Sequence, residues 1–236
     1  MSAPSAEWTT SKTFTNPVAR KMLLAGTGIG IVAVLISHVV GLFSIFGGPS
    51  SINAYSSALH SVPTLVWPAR LLLVVVFLLH VRYAVYATLD NRAARPVAYA
   101  RRKYQKSTVL SRSQIWTGLV IALFLVYHLL HFTIQTIDPA SGAAVLRDSQ
   151  GRPDVYQMVV RGLQHPGTSL IYLIAMAAVA AHLSHGIHSA LQTFGAATQR
   201  TLPLVIKGAV AAAALCFAAF ASIPAAVLSG LVKLVR

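Results

Sequence analysis

Five long apolar blocks divide this sequence, and no other feature restricts the fold as much. A helix rises about 1.5 Å per residue, so about 20 apolar residues cross a hydrocarbon core about 30 Å thick. Met22 to Phe46, Leu65 to Leu89, Gln114 to Ile137, Thr168 to Phe194 and Leu204 to Val232 all reach that length. Within lipid every backbone polar group must be satisfied by the protein itself, which leaves helices and closed barrels as spanning structures. Barrel strands are short and alternate in polarity, whereas these blocks are long and apolar throughout. The expected fold is all-α, a transmembrane bundle of five helices. The charge content agrees. Only 10% of the 236 residues are charged and 56% are apolar, against about 25% charged in soluble domains. An outer surface so poor in charge faces lipid.

Breaks between blocks carry turn residues: Gly47-Gly48-Pro49, Asp90-Asn91, Asp138-Pro139 and Gly195. Pro224 predicts a kink in the fifth helix. Residues 1–21 read as a polar N-terminal segment and 22–236 as one transmembrane domain. The first apolar block is too long for a signal-peptide core and is read as a retained helix. No soluble domain, low-complexity tract or internal repeat stands out. The single cysteine, Cys216, allows no intrachain disulfide, and no paired thiols suggest zinc or an iron–sulfur cluster.

Basic loops stay in the cytoplasm. The first loop has no Lys or Arg between Gly47 and Trp67, while the second carries Arg92, Arg95, Arg101, Arg102, Lys103, Lys106 and Arg112. The third balances Arg147, Arg152 and Arg161 against Asp138, Asp148 and Asp154, and Lys12, Arg20 and Lys21 precede the first helix. The N-terminus and the second loop are therefore expected in the cytoplasm, and the C-terminus outside. Lys233 and Arg236 are mild exceptions. The seven-cation loop reads either as an orientation signal that attracts anionic lipid or as a docking surface for a cytoplasmic partner. It is too short and too close to the membrane for nucleic acid.

Seven of nine histidines fall inside apolar blocks: His38, His80, His128, His131, His182, His185 and His188. Ionisable groups at membrane depth are rare, face the bundle interior and mark function. Simple interhelical hydrogen bonding explains a lone histidine better than it explains histidines on four separate helices. Depth sorts them. Counted from the cytoplasmic ends, His38 lies about 24 Å along the first helix and His128 about 21 Å along the third. His80 lies about 14 Å into the second and His182 about 18 Å into the fourth. His38 and His128 thus form an outer pair, His80 and His182 an inner pair. His131 shares a face with His128, and His185 with His182, so depth alone does not choose between them. Neutral imidazole is a good axial ligand for haem iron, and two imidazoles saturate its axial positions and leave electron transfer as its chemistry. Two b-type haems, one above the other, are expected. Gly41 beside His38 and Gly186 beyond His182 offer room for a bulky ring, although small residues also serve ordinary helix packing. Arg82 and Arg70 are candidates to meet haem propionates, or snorkel to the interface.

The residues around these positions resemble a known family. They are LISHVVGLF around His38, LLHVRYAVYATLDNRAARP around His80, SRSQIWTG entering the third helix, LVYHLLHF around His128, and AHLSHGIHSALQTFG from His182. From about Arg20 to Ile223 the chain resembles the five-helix, two-haem cytochrome b anchor of succinate:menaquinone oxidoreductases and fumarate reductases. The resemblance implies that His128 and His182 are the third and fourth axial ligands. It also implies pairing of first with third and second with fourth, which agrees with depth. His131, His185 and His188 become neighbours to propionates or water. Implied partners are a flavoprotein with covalent FAD and an iron–sulfur subunit with three clusters, docked on the cytoplasmic face of a prokaryotic inner membrane. The inner haem would lie proximal to the clusters, and a membrane quinone, menaquinone by this resemblance, would exchange electrons with the chain. One departure concerns protons: Gly47 to Trp67 contains no Asp or Glu. On the outer side only Tyr55 and His60 stand in, and a cytoplasmic-side quinone site near Tyr83, Arg112 and Ser113 is equally open.

Two other readings compete with this one. A cytochrome b subunit of hydrogenase or formate dehydrogenase type also binds haem through helix-borne histidines, but the even spread over four consecutive helices argues against it. A histidine-lined transporter or metal permease needs carboxylates at membrane depth, and Glu7, Asp90, Asp138, Asp148 and Asp154 all lie at or beyond helix ends.

Overall fold

The computed structural model describes residues 16–94, 108–138 and 146–234. Helix α1 (Pro17–Leu42) tightens into a 3-10 turn, Phe43–Gly47. There follow α2 (Pro49–His60), α3 (Pro63–Ala93), α4 (Val109–Arg112) and α5 (Gln114–His128), which runs on into a π turn, Leu129–Thr133. The chain continues through α6 (Val155–Leu163), α7 (Pro166–Thr193) and α8 (Leu202–Leu228). Among the described residues, five helical stretches are long and apolar enough to cross a membrane: Pro17–Gly47, Pro63–Ala93, Gln114–Thr133, Pro166–Thr193 and Leu202–Leu228. Several begin with proline in the first turn, where its missing N–H has no partner to lose. Asn16 caps α1, its side chain accepting from Val18 N at 2.9 Å.

The third and fifth spans stop earlier than their apolar pattern. Ile134 and Ile137 continue the pattern, but the backbone widens after His128, closes with Ile134 N bonded to Leu129 O at 2.7 Å, and turns at Gln135 (φ 60°). The Gln135 amide then donates to Met158 Sδ at 3.3 Å. In α8 the helix ends at Leu228 because Gly230 takes the left-handed conformation (φ 77°) that closes helix ends without a Cβ clash. Val232 folds back beneath it, its N–H bonded to Ala226 O at 3.0 Å. The helix continues through Pro224, which is buried within it.

Helix α7 is the hub. It packs against α8, α5 and α1, and α3 leans on α1. Midway along the bundle Val179, Leu183 and Ala213 form a small core with Val32, Leu35 and Ile121. Helix α3 buries only Tyr83 and exposes Leu71, Leu72, Val74, Val75 and Leu78, a lipid-facing surface. We call the end where α1 begins the entry end.

The opposite end is capped. The two stretches read from sequence as loops fold into α2 and α6, which lie across it. Tyr156, Val159, Val160 and Leu163 form an i, i+3, i+4, i+7 stripe on α6, buried with Ile45, Ile52, Tyr172, Ile223 and Val227. A polar latch ties the two short helices together. Asn53 of α2 is fully buried; it donates to Asp154 Oδ1 (3.1 Å) and accepts from Tyr156 N (3.0 Å). Asp154 also caps α6 by accepting from Gln157 N at 3.0 Å, and Asp148 pairs with Arg152 at 2.8 Å. Asp148 and Asp154 thus hold the cap together.

Candidate functional site

Histidines from four spans meet two by two. His38 on α1 faces His128 at the end of α5, ring centroids 5.9 Å apart and planes at 84°. His80 on α3 faces His182 on α7, centroids 6.3 Å apart and planes at 70°. The second pair touches the neighbouring helices. His80 Nδ1 lies 3.2 Å from Thr27 Oγ1 of α1, and His182 Nδ1 lies 3.1 Å from Thr117 Oγ1 of α5. Thr27 precedes His38 by eleven residues, and Thr117 precedes His128 by eleven. At about 1.5 Å per residue, the two pairs stand at levels about 16 Å apart, the His80–His182 level nearer the entry end.

The spacing within each pair has chemical meaning. A metal–imidazole bond is about 2 Å and the ring centre lies about 1.1 Å behind its nitrogen, so imidazoles on opposite sides of one metal ion stand about 6 Å apart. Both pairs match. Among the described residues no group of three or more His, Cys, Asp or Glu side chains is placed to hold a metal ion by itself. A metal held by either pair takes its remaining ligands from elsewhere, as haem iron takes four from its porphyrin.

The other histidines have partners of their own. His131 is buried in the π turn, stacked on Phe132 (centroids 4.1 Å), with Nδ1 3.0 Å from Tyr172 Oη. Tyr172 Oη also lies 3.4 Å from His128 Nδ1, so one phenol bridges both histidines of this region. His185 and His188 meet edge to face at 4.8 Å, and His188 Nδ1 bonds Ser184 O at 2.9 Å. The arginines are engaged by aromatic and histidine neighbours. Arg70 Nη2 lies 3.1 Å from His60 Nε2, with its guanidinium over Trp67. Arg82 donates to Tyr86 Oη at 3.4 Å and lies over the same ring. Tyr83 is buried beside Tyr86. Ser113 Oγ donates to Leu110 O at 3.1 Å, next to Arg112 at the end of α4. Of the basic loop only Arg92 and Arg112 are described; Arg95, Arg101, Arg102, Lys103 and Lys106 lie outside the described residues, as do Lys12 and Arg236.

Of the two glycines expected to leave room, Gly41 does not and Gly186 does. Gly41 leaves no free room beside His38, because Tyr55 of α2 fills it: a Cβ at Gly41 would fall 2.6 Å from Tyr55 Oη. Gly186 faces open space. Gly28 and Gly118 meet the histidines of the second pair, with a Cβ there falling 3.2 Å from His80 Cε1 and 3.5 Å from His182 Cε1, and a Cβ at Gly162 would fall 3.1 Å from His131 Cε1. Gly41→Ala is therefore expected to displace the half-exposed Tyr55 ring and cost about 1 kcal/mol, read as a lower thermal midpoint in detergent; an unchanged midpoint would contradict this packing.

Sequence reasoning overlooked Thr27, Thr117 and Tyr172, and found no internal repeat. The available signal was a Thr-Gly step placed eleven residues before a histidine in both the first and third spans.

A search of the curated proteins and a search of the solved structures each found no match. Residues 91–221, more than half of the chain, match a family model described as the succinate dehydrogenase/fumarate reductase transmembrane subunit. The matched segment carries His128 and His182, and its five-helix, multi-pass setting is that of a membrane subunit. This chain belongs to the family of succinate dehydrogenase/fumarate reductase transmembrane subunits.

Proposed function

We propose that this chain is the di-haem cytochrome b anchor of a succinate:menaquinone oxidoreductase, carrying electrons between an iron–sulfur subunit and membrane quinone. In this reading His38 and His128 are the axial ligands of one haem b, and His80 and His182 those of the other. The observation that carries it is the occurrence of two imidazole pairs, each at the spacing of a shared metal, at two levels of one bundle. Family membership favours succinate or fumarate over hydrogen or formate as the partner chemistry.

Haem iron, when bound, would supply one-electron redox chemistry. The protein supplies the rest. Four histidines on four helices would hold the two haems, His38 with His128 and His80 with His182, and so set the positions of the two centres. The apolar bundle excludes water. With Arg20, Lys21, Arg92 and Arg112 at the entry end, that end faces the cytoplasm of a prokaryotic inner membrane. The flavoprotein and the iron–sulfur subunit dock there, nearest His80 and His182. A quinone exchanging electrons with this chain also exchanges protons. Polar groups stand at both ends: Tyr55 and the His60–Arg70 pair at the capped end, Tyr83, Arg112 and Ser113 at the entry end.

The test is a haem count with an optical redox titration of the purified complex. Two b-type haems per chain, titrating as two components, are expected; a fully loaded preparation with none, or with one, overturns the reading.

A further inference from the structure

The geometry points to Thr27 and Thr117 as a matched pair of positioning residues that fix the tautomer and pose of His80 and His182, so that both present Nε2 to one iron. The inference rests on the reading of these histidines as axial ligands.

The direction of each hydrogen bond follows from the threonine's other contacts. Thr27 Oγ1 lies 2.7 Å from Leu23 O and 3.0 Å from Leu24 O. A carbonyl only accepts, so the single hydroxyl hydrogen goes to the backbone. The lone pairs of Oγ1 remain for His80, whose Nδ1 is then the donor at 3.2 Å, and the Leu24 carbonyl beside it also accepts only. Thr117 repeats the arrangement, with Oγ1 3.1 Å from both Ser113 O and Gln114 O and 3.1 Å from His182 Nδ1. A neutral imidazole that donates from Nδ1 carries its free lone pair on Nε2, the atom left to bind a metal. Such an outer hydrogen bond orients the ring and raises its basicity. The residue after each threonine is glycine, and each histidine turns Cε1 toward that glycine. The ring can therefore lie against the neighbouring backbone within reach of the hydroxyl.

Equal spacing makes this a register and not a coincidence of contacts. Helices α1 and α5 each place a Thr-Gly step at the lower level and a histidine at the upper level, eleven residues on. Each helix thus supports a histidine of one pair and supplies a histidine to the other. The upper pair is held by other groups: His128 Nδ1 faces Tyr172 Oη at 3.4 Å and His38 packs on Phe220.

An acceptor on Nδ1–H makes the imidazole a stronger electron donor, which favours the oxidised metal and lowers its potential. Thr27→Val and Thr117→Val, made in the intact complex, are expected to raise the midpoint potential of one haem and leave the other where it is. The low-spin electron paramagnetic resonance signal of that haem should shift, and the double variant should move further. Thr27→Ser and Thr117→Ser keep the hydroxyl and should restore the wild-type potential and signal. Unchanged potentials and spectra in both valine variants overturn the proposal, as does equal loss of both haems, which would make the hydroxyls supports of the fold alone. Serine variants that behave like the valine ones overturn it too. A wild-type complex without two haems sinks the ligand reading itself, whereas two wild-type haems with silent valine variants sink only the threonine role.

Discussion

Exchanging His182 for alanine is expected, on the proposed ligand assignment, to remove one of two b-type haems and leave the other in place. His182 is one of two imidazoles at its level, 6.3 Å from His80, and alanine offers no ligand in its stead. One imidazole leaves an axial position open, and retention falls accordingly. The reduced α-band should drop by about half, and the redox titration should simplify to one component. The surviving haem belongs to the His38–His128 level, about 16 Å away along the helices. His185→Ala is the control. It sits one turn further along α7 with His188 as its ring neighbour, and both haems should persist. A His182→Ala complex that keeps both haems with an unaltered spectrum would refute the ligand assignment. A His185→Ala complex that loses one would move the assignment along α7.

Asn53→Ala is expected to be the most damaging substitution outside the histidine pairs, at about 2–4 kcal/mol. Asn53 is fully buried at the capped end and serves both as donor to Asp154 and as acceptor for Tyr156 N–H. Removing it strands a buried N–H and takes a partner from a buried carboxylate, and an unsatisfied buried group costs more than a hydrogen bond contributes on average. Thermal unfolding of the detergent-solubilised complex measures the effect. Leu71→Ala provides the comparison, since Leu71 is exposed on the lipid-facing side of α3 and its loss should shift the midpoint little. Equal midpoints for Asn53→Ala and the wild type would show that the latch does not hold the cap.

The five spans were legible in one dimension because hydrocarbon imposes a single length and a single kind of surface on any helix that crosses it. The two histidine levels were legible for a related reason: a constant rise per residue turns position in the chain into depth. Helix α6 was within reach of the same reasoning, since the Tyr156–Leu163 stripe carries a helical period that went unread. Lateral arrangement is another matter. Nothing in the first span says that Thr27 will meet His80, because a Thr-Gly step is ordinary in an apolar helix until another helix is laid against it. Gly41 looked like room for a ring and is occupied by Tyr55, which the chain delivers from α2. The partners of Asn53 lie 101 and 103 positions further on. Length, depth and period are local properties of a chain in an apolar solvent. Which side chains share a seam depends on how whole helices pack, and that is settled by contacts no stretch of sequence contains.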